Sequence, residues 1–212
     1  MSRRPTERPA IPPSAIRWPL PIISVARGTQ LFRLSLRRYP DPAYFGRGAL
    51  HRFDAPDGSF GVCYLGTSLD CCLLEVLRPA HHPRTTIRPL TLAQLREYCA
   101  ATGAVVEPLL LAHFADDGLA RAGIDQRVTG GDDYDLSQAW SAAVHAHAGN
   151  LDGIFYPSRH HNGLYSVALF ERARRKVTVA IWGTLGNRRQ RRLWHETERV
   201  LARFAIGLIA TP

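Results

Sequence analysis

Five polar residues stand inside otherwise apolar stretches of this chain: Arg33 in QLFRLSL, Arg52 before Phe53, Tyr64 in FGVCYL, Glu75 in LDCCLLEVLR, and Ser158 after Tyr156-Pro157. Their types suit the recognition of charge. A carboxylate stabilises positive charge, a guanidinium grips an oxyanion through paired donors, and a phenol offers both a ring face and a hydroxyl. Singly, each also has an ordinary reading. Arg33 suits a salt bridge on a strand face and Glu75 a solvated helix position. Tyr64 suits a core ring with a bonded hydroxyl, and Ser158 a turn cap. Arg159 and Asn162 follow Ser158 closely and are further candidates.

Motifs for other chemistries fail. The sequence has no GxxxxGK[ST] and no GxSxG, and Gly46-Arg47-Gly48 opens a glycine pattern that ends on His51 with no strand before it and no helix after it. Phosphate loops, dinucleotide fingerprints and nucleophile elbows are thereby set aside. Of the four cysteines, Cys63, Cys71, Cys72 and Cys99, the vicinal pair suits neither a disulfide framework nor a CxxC knuckle, so buried free thiols are expected. His81-His82 and His160-His161 are adjacent pairs whose side chains diverge, and HExxH spacing is missing; no metal site is expected.

Those candidate residues need elements to hold them. Gln30–Leu36 alternates, with Leu31, Arg33 and Ser35 on one side and Phe32, Leu34 and Leu36 on the other, which predicts a strand. Phe60–Leu65 predicts a second. Gly66-Thr67-Ser68 then supplies a turn and an N-cap hydroxyl for a helix from Leu69, with Asp70 in its first turn. Leu69, Cys72, Leu73 and Val76 form its apolar stripe; Glu75 lies off it, and Pro79 ends the helix. A helix over Leu92–Ala101 follows, and residues 115–134, rich in Gly and Asp, read as a loop or insertion. A helix over Asp135–Ala148 leads to strands at Gly153–Tyr156, Tyr165–Phe170 and Val177–Trp182. An amphipathic helix over Arg188–Phe204 closes the pattern. The expected class is α+β: a single domain with a small mixed or antiparallel β core flanked by helices.

A length of 212 residues suits one domain, and 45% hydrophobic with 21% charged residues excludes disordered and fibrous classes. No apolar run approaches the roughly 20 residues of a membrane span. The best, Val105 to Phe114, is broken by Glu107 and Pro108. Without an apolar stretch behind the basic start, a secretory signal is not expected, and the protein reads as cytoplasmic. Six prolines in residues 1–22 predict a mobile or surface-draped arm, followed by a globular domain over 23–183 and a basic amphipathic helix over 184–212. With 27 basic and 18 acidic residues the net charge is +9, and Lys176 is the only lysine. Such a field steers anionic partners.

From Thr29 to Phe170 the chain resembles the RES domain family, the toxin half of bacterial RES–Xre toxin–antitoxin modules. The matching segments are LFRL with Arg33, HRFDAPDGSFGVCYLGTSLDCCLLEVL with Arg52, Tyr64 and Glu75, SQAW at Ser137, and GIFYPSRHHNGLYSVALF with Ser158 and Asn162. The family's usual Gly-Gly-Arg-Trp type segment is replaced here by Leu50-His51-Arg52-Phe53. The 115–134 stretch is long for the family, and the proline arm and the C-terminal helix lie outside the resemblance.

The resemblance implies an ADP-ribosyltransferase-like fold that acts on NAD+ as substrate, with no redox cofactor or metal. The nicotinamide–ribose bond would be cleaved by phosphorolysis, with inorganic phosphate as co-substrate, or by hydrolysis. Transfer of ADP-ribose to a protein is the alternative. On that reading Glu75 binds a ribose hydroxyl and stabilises the oxocarbenium-like transition state, while Arg33 and Arg52 anchor the pyrophosphate. Tyr64 stacks on nicotinamide, Ser158 positions ribose or Glu75, and Asn162 joins the binding set. The implied partner is an Xre-type antitoxin, through which alone nucleic acid would be met; a homodimer stays open. A rival of another class is a nucleic-acid-binding module built on Arg188-Arg189-Gln190-Arg191-Arg192 and Trp194, a basic run that opposes the dipole at a helix N-terminus.

Overall fold

The alternation of Gln30–Leu36 is realised as a strand at the heart of a large mixed sheet. The computed structural model describes residues 12, 16, 18–39, 41–77, 89–132 and 134–209. Along the chain come β1 (Ile22–Val25), β2 (Gln30–Leu36), β3 (Val62–Gly66), α1 (Leu69–Val76), β4 (Leu90–Thr91), α2 (Leu92–Arg96), β5 (Tyr98–Val105) and β6 (Leu109–His113). Then follow α3 (Asp116–Ala122), α4 (Arg127–Gly130), α5 (Tyr134–His145), β7 (Gly153–Pro157), β8 (Tyr165–Phe170), β9 (Val177–Thr184), α6 (Arg191–Arg203) and β10 (Leu208–Ile209). The eight-stranded sheet has the order β1-β6-β7-β8-β3-β2-β5-β9. Every neighbouring pair in it is antiparallel except β6–β7. The class is α+β, as expected.

Alternation divides the core between the two faces of the central strands. Val62, Ile154, Ala168 and Phe170 pack with Phe53 and with Trp140 of α5, whereas Cys63, Leu65, Phe155, Val167 and Leu169 pack on the other side. A third cluster joins Leu34 of β2 to Leu69 and Leu73 of α1 and to Leu193, Val200 and Leu201 of α6. Leu193, Val200 and Leu201 thus form the inward face of α6, which shares its core with α1.

The arm, where it is described, is draped on the fold and anchored there: Ile16 and Leu20 belong to the core cluster with Phe53, and the Pro21 carbonyl accepts from His113 N at 2.8 Å. An extended proline segment lacks its own hydrogen bonds yet can still bury side chains and lend carbonyls to a neighbouring strand. Residues 1–11, 13–15 and 17 lie outside the described residues. Several expectations need correction. The expected helix over Leu92–Ala101 stops after Arg96, because Tyr98–Val105 is β5, paired along its length between β2 and β9; tertiary pairing overrides local propensity. Residues 115–134 are not a loop but carry α3 and α4, with Asp116 and Asp117 in the first turn of α3 and a left-handed Gly123 closing it. The helix expected to end at Pro79 is described as far as Leu77; Pro79 lies beyond the described residues.

Helix α1 is anchored at both levels the sequence offers. Ser68 Oγ accepts from Cys71 N at 3.1 Å, the N-cap bond expected. A Cβ on Gly66 would lie 2.6 Å from Cys72 Sγ, so only glycine lets the helix start so close to the end of β3. Asp70, 4% exposed, receives Arg199 Nη2 at 2.7 Å and a second guanidinium, Arg203, both from α6. Burial works to raise its pKa, but the two arginines outweigh burial and hold the carboxyl below the usual range. Asp70→Ala removes this link and should lower stability in denaturant melts by about 1–3 kcal/mol. Glu196→Ala, which breaks only an exposed pair with Arg199, should stay within about 0.5 kcal/mol.

His145, near the end of α5, stacks flat on Phe60 with ring centroids 3.9 Å apart. Burial first, and Arg172 second, push its pKa down to about 4 from an ordinary 6.5. The unfolded chain therefore takes up this proton before the folded one does. Stability from this group is complete above about pH 6.5 and falls as pH drops toward 4. His145→Phe should flatten the decline of the melting temperature across that window.

Candidate active site

Glu75 lies in the last turn of α1, where the helix meets the segment that leaves β7. Ser158 Oγ donates to Glu75 Oε1 at 2.6 Å, and the backbone N of Arg159 donates to the same oxygen at 3.1 Å. His160 Nε2 lies 3.9 Å from Oε2, and His160 N donates to Ser158 Oγ at 3.2 Å. The carboxylate is thus gripped mainly through one oxygen, while its side chain keeps 34% of its surface exposed. It faces a cleft of about 390 Å³, whose lining includes Arg33, Arg52, Tyr64, Tyr156 and Arg159. That volume lies in the range of small-molecule sites.

The Tyr64 hydroxyl is spent on the protein. It donates to Asp54 Oδ1 at 2.9 Å and accepts from Phe53 N at 2.9 Å. Asp54, 1% exposed, also receives Leu50 N at 3.0 Å and His51 N at 2.9 Å on Oδ2. Together they fasten the 50–54 loop that carries Arg52. Burial, reinforced by the Asp54 charge, pushes the Tyr64 phenol well above its ordinary value. Tyr156 rises for the same first reason, with Glu75 adding to it. Both phenols stay neutral and line the cleft, with Tyr64 donating to Asp54.

Arg52 is itself nearly buried: Nη1 donates to Gly131 O at 2.7 Å, and the guanidinium sits 5.0 Å over the Tyr134 ring. Arg33 is placed differently. Its Nη1 bonds the carbonyls of Pro42 and Tyr44 and Cys63 Sγ, each at 3.0 Å. Cys63 alternates with Tyr64 along β3, so the Arg33 guanidinium turns to the face opposite the Tyr64 phenol. Asn162 does not line the main cleft. It borders an adjoining groove of about 510 Å³ that also includes Ser158 and shares Thr129 and Arg159 with the cleft. Ser137 is fully buried and donates to Val128 O at 2.6 Å, tying α5 to α4.

Asp54, Tyr134, Tyr156 and His160 enter the site without having been singled out by the sequence for it. Asp54 had at most its nearness in the chain to Leu50 and His51, whose N–H groups it accepts. The other three had none, since only the fold brings them to the cleft. The thiols of Cys63, Cys71 and Cys72 are buried, and burial raises all three, Cys71 to about 11. Among the described residues no three His, Cys, Asp or Glu side chains gather as metal ligands; His81-His82 lies outside them. In the basic run, Arg188 covers a face of the Trp194 ring at 5.2 Å.

A sequence profile described as the RES domain matches residues 30–194. The chain belongs to the RES domain family. Its RES domain spans β2 to the start of α6 and contains each of Arg33, Arg52, Tyr64, Glu75, Ser158 and Asn162. The chain is similar to a Sinorhizobium fredii protein named probable toxin y4kH, at 33% identity over 121 residues, covering 57% of this chain and 91% of that one. In fold, it matches a chain in the crystal structure of the M. tuberculosis MbcT–MbcA toxin–antitoxin complex. The TM-score is 0.54 at 19% identity, covering 80% of this chain and 91% of that one. No helix among the described residues is long and apolar enough to cross a membrane.

Because the Tyr64 hydroxyl both gives and receives a buried hydrogen bond, Tyr64→Phe leaves Phe53 N unpaired and Asp54 one donor short. Chemical denaturation should report a loss of about 1–3 kcal/mol. A ring that serves only as a stacking surface would show no such loss.

Proposed function

We propose that this RES domain is the toxin of a toxin–antitoxin pair and that it consumes NAD+ by breaking the nicotinamide–ribose bond. The observation that carries the reading is the Glu75 carboxylate, held by Ser158 Oγ and Arg159 N at the edge of a cleft that Arg52 also lines. As the C1′–N bond lengthens, its electron pair moves onto the pyridinium nitrogen and nicotinamide leaves neutral. Positive charge then collects on the ribose C1′ and ring oxygen. A carboxylate fixed in advance stabilises that charge without reorganising during the step. Ser158 and Arg159 N hold the oxygen that would otherwise swing, leaving the rest of the group to a ribose hydroxyl. Arg52 anchors the diphosphate, Tyr64 holds the loop that aims it, and Arg33 fastens the 42–44 loop.

Phosphate or water would then add to C1′, water giving up a proton, and free ADP-ribose or its phosphorylated form departs. An Xre-type antitoxin is the partner of this reading. It draws support from the toxin name of the S. fredii relative and from the toxin–antitoxin complex that shares the fold.

Expression in a bacterial host should arrest growth and deplete NAD+, with nicotinamide released by the purified chain. Glu75→Gln should lower that release by about 10²–10³-fold and restore growth. Arrest with undiminished NAD+ would refute NAD+ breakdown. Adenylate label from NAD+ retained on a protein band would make the chain an ADP-ribosyltransferase instead.

A further inference from the structure

Two guanidinium groups from separate parts of the chain converge on one short loop. Arg52, from the 50–54 loop, donates to the carbonyl of Gly131 at 2.7 Å. Arg159, from the segment after β7, pairs with the Asp132 carboxylate at 2.6 Å. Gly131 and Asp132 are consecutive, with Cα atoms about 3.8 Å apart. The two arginines therefore reach oxygen acceptors on two consecutive residues of one loop. Two phosphoryl groups joined through one oxygen likewise offer adjacent oxyanions, and a guanidinium fork suits each of them.

We propose that Arg52 and Arg159 form a diphosphate clamp whose acceptor positions are occupied, in the free chain, by the Gly131 carbonyl and the Asp132 carboxylate, and that a nucleoside diphosphate group displaces them. The dinucleotide identity of the ligand rests on the NAD+ reading above; the anionic chemistry of the clamp does not. Both arginines line the cleft that holds Glu75. The Nη1 of Arg33 is committed to the 42–44 loop, which leaves this pair as the cationic floor for a diphosphate. Exposure decides which contact yields. The Asp132 side chain is 85% exposed and that of Arg159 only 28%. An ion pair with a solvated partner contributes little, whereas a doubly charged ligand in the cleft engages both forks at once. The loop thus acts as an internal stand-in for the ligand, and Asp132 sets its strength.

The test titrates the full-length chain with inorganic pyrophosphate, and separately titrates NAD+ into the Glu75→Gln chain, by calorimetry. Asp132→Asn should tighten pyrophosphate binding about two- to fivefold, the range of an exposed ion pair removed. Arg159→Ala should weaken it about tenfold, as expected for a lost charge-assisted contact. Combined with Arg159→Ala, Asp132→Asn should gain nothing, because its effect runs through that arginine. Asp125→Asn makes the same change in net charge beside Arg127 in the adjoining groove and should shift affinity less than about twofold. An unchanged or weaker Asp132→Asn, or an equal gain in Asp125→Asn or in the Arg159→Ala background, overturns the clamp. The full pattern with pyrophosphate but no NAD+ binding keeps the clamp and refutes the dinucleotide reading instead.

Discussion

The arrangement depends on one contact, the hydrogen bond from Ser158 Oγ to Glu75 Oε1 at 2.6 Å, seconded by Arg159 N. It joins residues 83 positions apart and closes the cleft between α1 and the end of β7. A lone carboxylate on a short helix would otherwise sample several rotamers, and its charge would be averaged over solvent. Gripped through one oxygen, it presents a fixed negative centre, the condition under which electrostatic stabilisation of a developing cation is strongest.

Holding that carboxylate requires that α1 itself not move, and the structure supplies two restraints of different kind. One is local: the Ser68 cap and the close approach allowed by Gly66 set where the helix begins. The other is remote: Asp70 draws Arg199 and Arg203 from α6 onto the first turn of α1. A buried carboxylate is tolerable only when paired, so the C-terminal helix is bound to the helix that bears Glu75 through electrostatics as well as through Leu193, Val200 and Leu201.

Charge in the cleft is organised by what each arginine already touches. Arg33 is committed to carbonyls of the 42–44 loop, Arg52 rests on Tyr134 and the Gly131 carbonyl, and Arg159 leans on a solvated acid. These are three degrees of commitment, and they grade how readily each guanidinium turns to a ligand. The phenol of Tyr64 belongs to the support rather than to the surface, since its hydroxyl fastens the loop that delivers Arg52.

Much of this was legible along the chain. Period-2 alternation located β2 to the residue and β8 likewise, and the turn before Leu69 announced the cap, because these signals are local and written in neighbouring side chains. The acids at the start of α3 and the glycine at its end were equally local, although the composition of 115–134 obscured them. Tertiary pairing alone decided the rest. Tyr98–Val105 became a strand because β2 and β9 offered it partners on both sides. Arg33 turned away from Tyr64 because neighbouring strands share a pleat, and that relation is invisible until the strands pair. Residue types and their order marked Arg52, Glu75 and Ser158 as candidates, and the fold gathers them around one cleft. Which of those groups face one another depends on contacts between distant segments, whose geometry no single stretch of sequence contains.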